Sequence, residues 1–450
     1  MPAPSRLAIR GDLLDFTAEP ALTDATPDGG AAARFAPDHW LLVEDGRIVG
    51  RQAADPGPDW RRLDHRGRLV LPGFVDTHVH MPQLEVIASH GADLLDWLQT
   101  YTFPAERAYA DPEVSRAGAE AFADALLAHG TTAAVVFPTV HAVSADAMAA
   151  AAHARGMRCI TGKVLMDRNA PDGLRDADAA SADRALRAGI DRWHGTGRQA
   201  GAVTVRFAPC STPAQLALAG RLLAEVPDLY LQTHLAENRD EVRWVAELFP
   251  EARSYLDVYR RAGLLGPRAV LAHGIWLDDA DRALLAETGA QVAHCPTSNL
   301  FLGSGLMDWR ALQAAGAAVT LASDVGGGTS LSMVRTLAAA YQVQALQGVK
   351  PGAWALLHAA TRGAAQALRL DHEIGSLEPG RMADLCIWDW AAGPVARRRD
   401  ARAQTLHERV FAWLMLADER NLVQAWVAGQ PRHERVGGPG ATIAPREEHR

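Results

Sequence analysis

The amino-acid sequence predicts an α/β protein, a (β/α)8 TIM-type barrel joined to a small β-sandwich domain that is built from both chain ends. Between about residues 70 and 375, short apolar runs alternate with longer stretches rich in alanine and leucine. This alternation is typical of parallel strands connected by helices. The two flanks lack it and contain hairpin-like segments instead. A doubly wound sheet would give a similar alternation, so the alternation alone does not decide between the two architectures.

Eight apolar runs support the barrel prediction. The first ends at His78, and the others cover residues 132–137, 159–165, 203–208, 229–235, 269–272, 291–293 and 319–322. Stretches with helical periodicity separate them, among them residues 112–129, 144–155, 213–223 and 278–287. Eight strand–helix units in roughly 300 residues match the size of a (β/α)8 barrel.

The flanks contain short β-type segments. An Asp45-Gly46 turn separates two apolar runs within residues 41–49, which predicts a hairpin. Residues 383–388 and 423–427 form similar runs, and a glycine turn follows the second. Two β-rich ends that bracket a barrel would meet most simply as one small sandwich.

These segments predict the domain organisation. Residues 1–69 are the N-terminal part of the sandwich, residues 70–375 the barrel, and residues 376–450 the C-terminal part of the sandwich with a charged tail. We expect the tail to be poorly ordered from Arg435 onward, because it carries charges and no apolar pattern.

The composition of the 450-residue chain argues against several classes of function. Hydrophobic residues make up 48% of it, charged residues 22%, and the formal net charge is −8. This acidic balance predicts no binding to nucleic acid or to a membrane. The four cysteines form no Cys-x-x-Cys pair, which argues against a zinc ribbon or a disulfide framework. Without an apolar signal region or a bilayer-length apolar run, we expect a cytoplasmic protein.

Residues able to carry chemistry follow the predicted strands. His78 and His80 end the first strand, and residues i and i+2 of a strand project to the same side. Both imidazoles could therefore bind one metal ion. His234 ends the fifth strand, His273 the sixth and Asp324 the eighth. The reacting groups of a (β/α)8 barrel lie at the carboxyl ends of its strands, where all five residues fall.

Longer motifs surround these residues. They are residues 72–83 (PGFVDTHVHMPQ), 101–106 (YTFPAE), 162–167 (GKVLMD), 234–241 (HLAENRDE) and 293–299 (AHCPTSN). Together they resemble the amidohydrolase superfamily and, within it, the guanine deaminases, over nearly the whole chain. The His-x-His pair, the later histidines and the aspartate indicate the superfamily. The Tyr-Thr-Phe-Pro-x-Glu element and an Arg-Phe pair narrow the resemblance to guanine deaminases.

The resemblance implies hydrolytic deamination of guanine to xanthine and ammonia by a zinc-activated hydroxide. It assigns one zinc ion per chain to His78, His80, His234 and Asp324. Three neutral imidazoles and one carboxylate also suit Zn²⁺ or Fe²⁺ on chemical grounds, and they leave a position for water.

The resemblance also implies the catalytic groups. Glu237 is the expected proton shuttle, and a carboxyl beside a metal site can exchange protons when its pKa is close to neutrality. A helix-capping or surface role for Glu237 stays open, because further polar residues follow it. Asp324 and His273 are expected to stabilise the tetrahedral adduct.

Three residues match the guanine deaminase pattern for substrate binding. Arg206 can donate bidentately to the adjacent acceptors O6 and N7 of guanine, whereas adenine presents a donor beside an acceptor there. Phe207 can stack on the purine ring, and Gln83 offers both a donor and an acceptor. A salt bridge at the barrel rim is the alternative role for Arg206.

Two alternative functions stay open. The barrel could hydrolyse another ring, such as 8-oxoguanine, a pterin or a chlorinated triazine, or the chain could be a non-catalytic scaffold. The resemblance implies a homodimer that acts on a small purine substrate. Lys163, His141 and His294 also end predicted strands, and their roles are left unassigned.

Overall fold

The chain forms a β domain and a parallel barrel that follow one another without a linker. The computed structural model describes residues 5–91 and 94–435. Strands are numbered along the chain. The strand β4 (Arg61–Pro72) of the β domain and the first barrel strand, β5 (Phe74–His80), are separated by Gly73 alone.

Within the described residues, strands from both chain ends form one seven-stranded mixed sheet. The other members are β1 (Arg6–Phe16), β2 (Ala33–Glu44), β3 (Arg47–Gln52), β14 (Leu385–Asp389), β15 (Leu422–Val427) and β16 (Gln430–Glu434). Their order is β16-β15-β14-β4-β1-β2-β3, so the pairing of β4 with β14 joins the two ends. The predicted β domain is confirmed. The exact domain boundaries stay a prediction, and the predicted tail beyond Arg435 lies outside the described residues.

Two hairpins of this domain have the glycine turns that the sequence predicts. Strands β2 and β3 pair antiparallel around Asp45 and Gly46, whose φ angles are 47° and 79°. Strands β15 and β16 pair around Ala428 and Gly429, with φ angles of 48° and 72°. Two consecutive left-handed residues give the turn geometry that matches the twist of paired strands.

The predicted barrel is confirmed. Besides β5 it contains β6 (Thr131–Phe137), β7 (Arg158–Thr161), β8 (Val164–Leu165), β9 (Gln199–Val205), β10 (Tyr230–Leu235), β11 (Ala269–His273), β12 (Gln291–His294) and β13 (Ala318–Leu321). Parallel pairing runs from β5 through to β13. Two backbone hydrogen bonds close the ring, from Asp324 N to His78 O (3.0 Å) and from His80 N to Val325 O (2.8 Å).

Two barrel strands differ from the prediction. The third is interrupted between β7 and β8 at Gly162, where a Cβ atom would lie 1.9 Å from the carbonyl oxygen of Ala202. The fourth, β9, ends at Val205, so Arg206 and Phe207 lie on the loop that follows it. Both side chains therefore remain at the carboxyl end of the barrel, where loops carry the reacting groups.

Helices connect the strands, and several of them begin at a residue whose side chain caps the helix. Asp111 accepts hydrogen bonds from two backbone N–H groups of the helix that follows it, and Thr212 accepts one. The helices are α1 (Leu94–Trp97), α2 (Phe103–Ala108), α3 (Pro112–Ala128), α4 (Ala142–Arg155), α5 (Ala179–Trp193), α6 (Pro213–Glu225), α7 (Arg239–Leu248), α8 (Tyr255–Arg261), α9 (Asp279–Thr288), α10 (Pro296–Phe301), α11 (Trp309–Ala314), α12 (Met333–Leu346), α13 (Ala353–Ala359), α14 (Arg362–Ala367), α15 (Gly393–Asp400) and α16 (Leu406–Leu416). None of the helices in residues 5–91 and 94–435 is both long and apolar enough to cross a bilayer.

The close approach at Gly162 gives a stability prediction. Gly162→Ala places a methyl group against a neighbouring backbone carbonyl, and overpacking of this kind costs about 1–3 kcal/mol. We expect its melting temperature to fall by several degrees. The control is Gly189→Ala inside α5, where nothing lies within 4 Å of the new Cβ. Because alanine favours helix more than glycine does, this variant should melt at or above the wild-type temperature. Equal melting of the two variants would contradict the packing argument.

Candidate metal centre and active site

Four side chains meet at the carboxyl end of the barrel with their metal-binding atoms together. His78 and His80 alternate on β5 and project to the same side, as the sequence predicts. Their Nε2 atoms are 3.1 Å apart, and His80 Nε2 is 3.2 Å from His234 Nε2. Asp324 Oδ1 lies 3.2 Å from His78 Nε2 and 3.3 Å from His80 Nε2.

These distances fit a single zinc ion. Ligand atoms at about 2.0–2.1 Å from a tetrahedral ion lie about 3.3 Å from one another. The four distances between ligand atoms given above are close to this value. The hydrogen bond of His234 supports the same arrangement. Its Nδ1 donates to the carbonyl oxygen of Arg206 at 2.6 Å, so in the neutral ring Nε2 keeps its lone pair for a metal.

The charge states of these groups also suit a metal site. Burial lowers the pKa of His78, that of His80 to about 3 and that of His234 well below its usual range, so the imidazoles are neutral. Burial opposes ionisation of Asp324, yet the facing imidazoles of His78 and His80 hold the pKa of this carboxyl well below its ordinary value. Neutral imidazoles and a carboxylate are the forms that bind zinc.

His78, His80, His234 and Asp324 are called the cluster below. Glu237 lies beside it, on the loop that follows β10. Its Oε1 accepts a hydrogen bond from Ser304 Oγ at 2.8 Å, and its Oε2 is 3.4 Å from His273 Nε2. Burial and the nearby Asp324 carboxylate raise the pKa of Glu237 to about 8, against the effect of Ser304. A carboxyl with a pKa near neutrality can both take up and release a proton.

Glu237 does not cap the helix that follows it. Asn238 does so instead, as its side chain accepts from the backbone N–H of Asp240, and Glu241 completes the capping box, since its Oε2 accepts from the backbone N–H groups of Glu237 (2.9 Å) and Asn238 (3.1 Å). The hydroxyl of Tyr255 donates to the other oxygen of Glu241. The alternative capping role for Glu237 is therefore wrong, and neither Ser304 nor Glu241 was predicted as a site residue.

His273 lies at the edge of the cluster. Its Nε2 is 3.8 Å from Asp324 Oδ2, and its Nδ1 is 2.9 Å from Asn299 Oδ1, which orients the ring. Together with His78, His234 and Asp324 it forms a group whose metal-binding atoms all lie within 4.8 Å of one another. His273 can therefore contact a ligand of the ion as well as the carboxylate of Glu237.

Two of the predicted substrate residues, Arg206 and Gln83, are hydrogen-bonded to Glu106, a residue for which the sequence predicted no role. Glu106 in α2 is fully buried, and its Oε1 accepts from Arg206 Nη1 at 2.5 Å and from Gln83 Nε2 at 3.0 Å. Gln83 Oε1 accepts from Gly326 N at 3.2 Å. The signal in the sequence was a carboxylate that ends an otherwise uncharged motif, residues 101–106.

Arg206 and Gln83 line one cavity together with Glu237 and members of the cluster. It is lined by His80, Gln83, Leu94, Trp97, Leu98, Arg206, Phe207, His234, Glu237, Glu241, His273, Leu302, Asp324 and Gly327. The apolar residues of α1 and of the π-helix Leu98–Thr102 cover one wall. Trp97 is buried and also lines this cavity. The cavity thus places an apolar wall beside polar groups that converge on the cluster, as is typical of a binding site for a small ring.

The three unassigned residues lie outside the cluster. Lys163 is buried against Asp176, with 2.5 Å between Nζ and Oδ1, and it also donates to the carbonyl oxygen of Val164. Its ammonium group is therefore committed to an ion pair. His294 is fully buried, and burial lowers its pKa to about 3, whereas His141 is only half-buried.

Comparisons with known proteins agree with this geometry. The family model described as "Amidohydrolase family" matches residues 69–431. The chain belongs to the amidohydrolase family. It is 42% identical to the guanine deaminase of Escherichia coli over 95% of this chain and 98% of that protein. The solved structure of the E. coli guanine deaminase superposes with a TM-score of 0.91, covering 95% of this chain and 100% of that one.

Two further amidohydrolase-like structures carry ligands. A guanine deaminase from C. acetobutylicum, solved with guanine in its active site, is 25% identical with a TM-score of 0.85, over 95% of this chain and 100% of that one. An adenosine deaminase from Xanthomonas campestris, solved with zinc, is 26% identical with a TM-score of 0.80, over 96% of this chain and 93% of that one.

The cluster gives a prediction about metal content. We expect the purified protein to hold about one zinc ion per chain and His80→Ala to hold far less, because His80 contacts three other members of the cluster. Removing the ion with a chelator should lower the melting temperature, since an ion that binds only the folded state adds about 2.7 kcal/mol at 100 times its Kd. Elemental analysis and thermal unfolding measure both effects.

The matched control is His153→Ala, which removes an exposed histidine of α4. It should keep the wild-type metal content and melting temperature. Equal zinc in His80→Ala and the wild type would contradict the assignment of the cluster as a metal site.

Proposed function

We propose that the protein catalyses the hydrolytic deamination of guanine to xanthine and ammonia. One observation carries this proposal. A single cavity is lined by members of the histidine and aspartate cluster, by Glu237, and by the hydrogen-bonded residues Arg206 and Gln83. The relatives named guanine deaminase, one of them with guanine bound, support the same substrate.

His78, His80, His234 and Asp324 are the residues that would hold the ion, with zinc as the expected metal and Fe²⁺ as the alternative. When bound there, the ion supplies an activated water molecule as the nucleophile. The zinc-bound relative supports this choice of metal. We assign His273, together with Asp324, to the stabilisation of the tetrahedral adduct.

Glu237 moves the protons of the reaction. Its carboxylate takes one proton from the attacking water and passes it to a ring nitrogen as the new C–O bond forms at C2. It then takes the second proton from the hydroxyl group now bound to C2 and transfers it to the amino group, the C2–N bond breaks, and ammonia leaves. The ring retains a carbonyl at C2, which makes the product xanthine. The raised pKa of about 8 and the burial of Glu237 support this role.

Arg206, Phe207 and Gln83 orient the ring. The guanidinium group of Arg206 can donate to O6 and N7 of guanine, and the corresponding N–H of adenine would leave one donor of Arg206 unpaired. Phe207 is held edge-on against Trp244, with ring centroids 6.2 Å apart, and offers an aromatic surface to the purine. We also propose a homodimer, as the family resemblance implies, and a cytoplasmic location, as the sequence predicts.

Glu237→Gln tests the proton transfer. Glutamine keeps the shape of the side chain and the hydrogen bond of Ser304 but cannot carry a proton, so we expect kcat to fall by about 10²–10⁴-fold with metal content unchanged. Ammonia release measures kcat, and elemental analysis measures the metal. Glu247→Gln, at an exposed position of α7, is the control and should retain full activity. A Glu237→Gln enzyme as fast as the wild type would refute the shuttle role.

A substrate panel tests the ring. Zinc-replete protein is incubated with guanine, adenine, cytosine and 8-oxoguanine, and we expect ammonia from guanine well above the other three. In Arg206→Ala, the loss of charged hydrogen bonds should raise KM for guanine by about 10–100-fold. The exposed Arg243→Ala is the control and should leave KM unchanged. Faster release from another ring would move the substrate assignment to that ring, and no release from any ring would refute the deaminase function.

A further inference from the structure

Glu106 is a buried carboxylate that the reaction described above does not use. Its side chain is fully inaccessible to solvent, Oε1 accepts from Arg206 and Gln83, and Oε2 has no hydrogen-bond partner among the described residues. A carboxylate is expensive to bury, and one partner with a full positive charge offsets that cost. The pairing with Arg206 therefore explains how Glu106 can be buried. The hydrogen bonds of Glu106 also constrain both partners, Arg206 and Gln83.

The first constraint is on orientation. A carboxylate only accepts hydrogen bonds, so Gln83 must turn its Nε2 toward Glu106 and its Oε1 toward the N–H of Gly326, as observed. Arg206 is held in the same way at Nη1, while its guanidinium group also lies over the ring of Phe103, with Cζ 5.8 Å from the ring centroid. The remaining N–H groups of Arg206 and Gln83 then point in fixed directions when a ring arrives.

The second constraint is on charge. Arg206 lines the cavity, and its positive charge is already balanced by Glu106 before any ligand binds. A neutral ring needs only hydrogen bonds from Arg206, and the ion pair leaves those available. An anionic ring would bring a second negative charge close to the buried Glu106 carboxylate, and like charges repel strongly where water is excluded.

We propose that Glu106 is a positioning and specificity-determining residue that fixes the donors of Arg206 and Gln83 and favours neutral over anionic purine rings. This inference rests on the proposed function, in that it takes a purine ring as the ligand. We therefore expect the site to bind a neutral purine ring more tightly than a ring that is an anion at neutral pH.

The test compares the binding of two rings that are not substrates for deamination at C2. Hypoxanthine is neutral at pH 7.5 and urate is an anion, and their dissociation constants are measured by calorimetry on the full-length, zinc-replete protein. In Glu106→Gln we expect the ratio of the two constants to shift toward urate by about tenfold or more, because the charge of Arg206 is no longer balanced. The same variant should raise KM for guanine with a smaller effect on kcat.

Two further variants complete the experiment. Glu85→Gln, an exposed glutamate on the same connection between β5 and α3, should behave as the wild type in every measurement. Glu106→Asp keeps the charge but is one methylene shorter, so KM for guanine should rise while the urate-to-hypoxanthine ratio stays at the wild-type value. It also serves as the test if Glu106→Gln does not fold.

The outcomes separate this inference from the proposed function. An unchanged ratio in Glu106→Gln, an unchanged KM in Glu106→Asp, or failure of both rings to bind the wild type would overturn the role of Glu106. A wild-type enzyme that binds the rings but releases no ammonia from guanine would overturn the proposed reaction instead, and the binding ratios would still decide the role of Glu106.

Discussion

The closure of the barrel is the interaction on which the rest of the structure depends. The backbone N–H of Asp324 donates to the carbonyl oxygen of His78, and the N–H of His80 donates to that of Val325. These bonds join the first barrel strand to the segment after the last. His78, His80 and Asp324 also contribute their side chains to the cluster, so the closed ring brings these three of its four members together. A chain in which this seam is open has no site.

The closed barrel then brings several carboxyl groups together in a buried environment, and each has different neighbours. The imidazoles that face Asp324 keep it ionised, and an ion pair with Arg206 balances Glu106. Glu237 accepts from Ser304 and Glu241 from Tyr255, and burial raises the pKa of Glu237 to about 8 and that of Glu241 to about 7. Environment rather than residue type therefore separates a group that holds charge from one that can transfer a proton.

The same geometry explains how far the sequence could be interpreted. The histidines and Asp324 were predictable, because a period of two on a strand and the strand ends of a barrel are local patterns that define positions in space. Glu106 and Ser304 were not, since their contacts join residues 100 and 67 positions apart along the chain. No periodic pattern in the sequence predicts that a helix between β5 and β6 contacts the loop after β9. The split of the third strand at Gly162 likewise depends on the approach of a neighbouring strand.

The backbone at the strand ends shows how the site is held. Ala236, His273 and Asp324 have φ angles of 47°, 76° and 49°, in the left-handed region that residues other than glycine rarely adopt. Each lies where a barrel strand turns into its loop, and such a conformation persists only when the surrounding structure enforces it. The hydrogen-bonded ring provides that enforcement. The barrel already holds the donor atoms about 3.1–3.3 Å apart. Binding an ion therefore requires little rearrangement of the protein, because folding has already ordered the ligands.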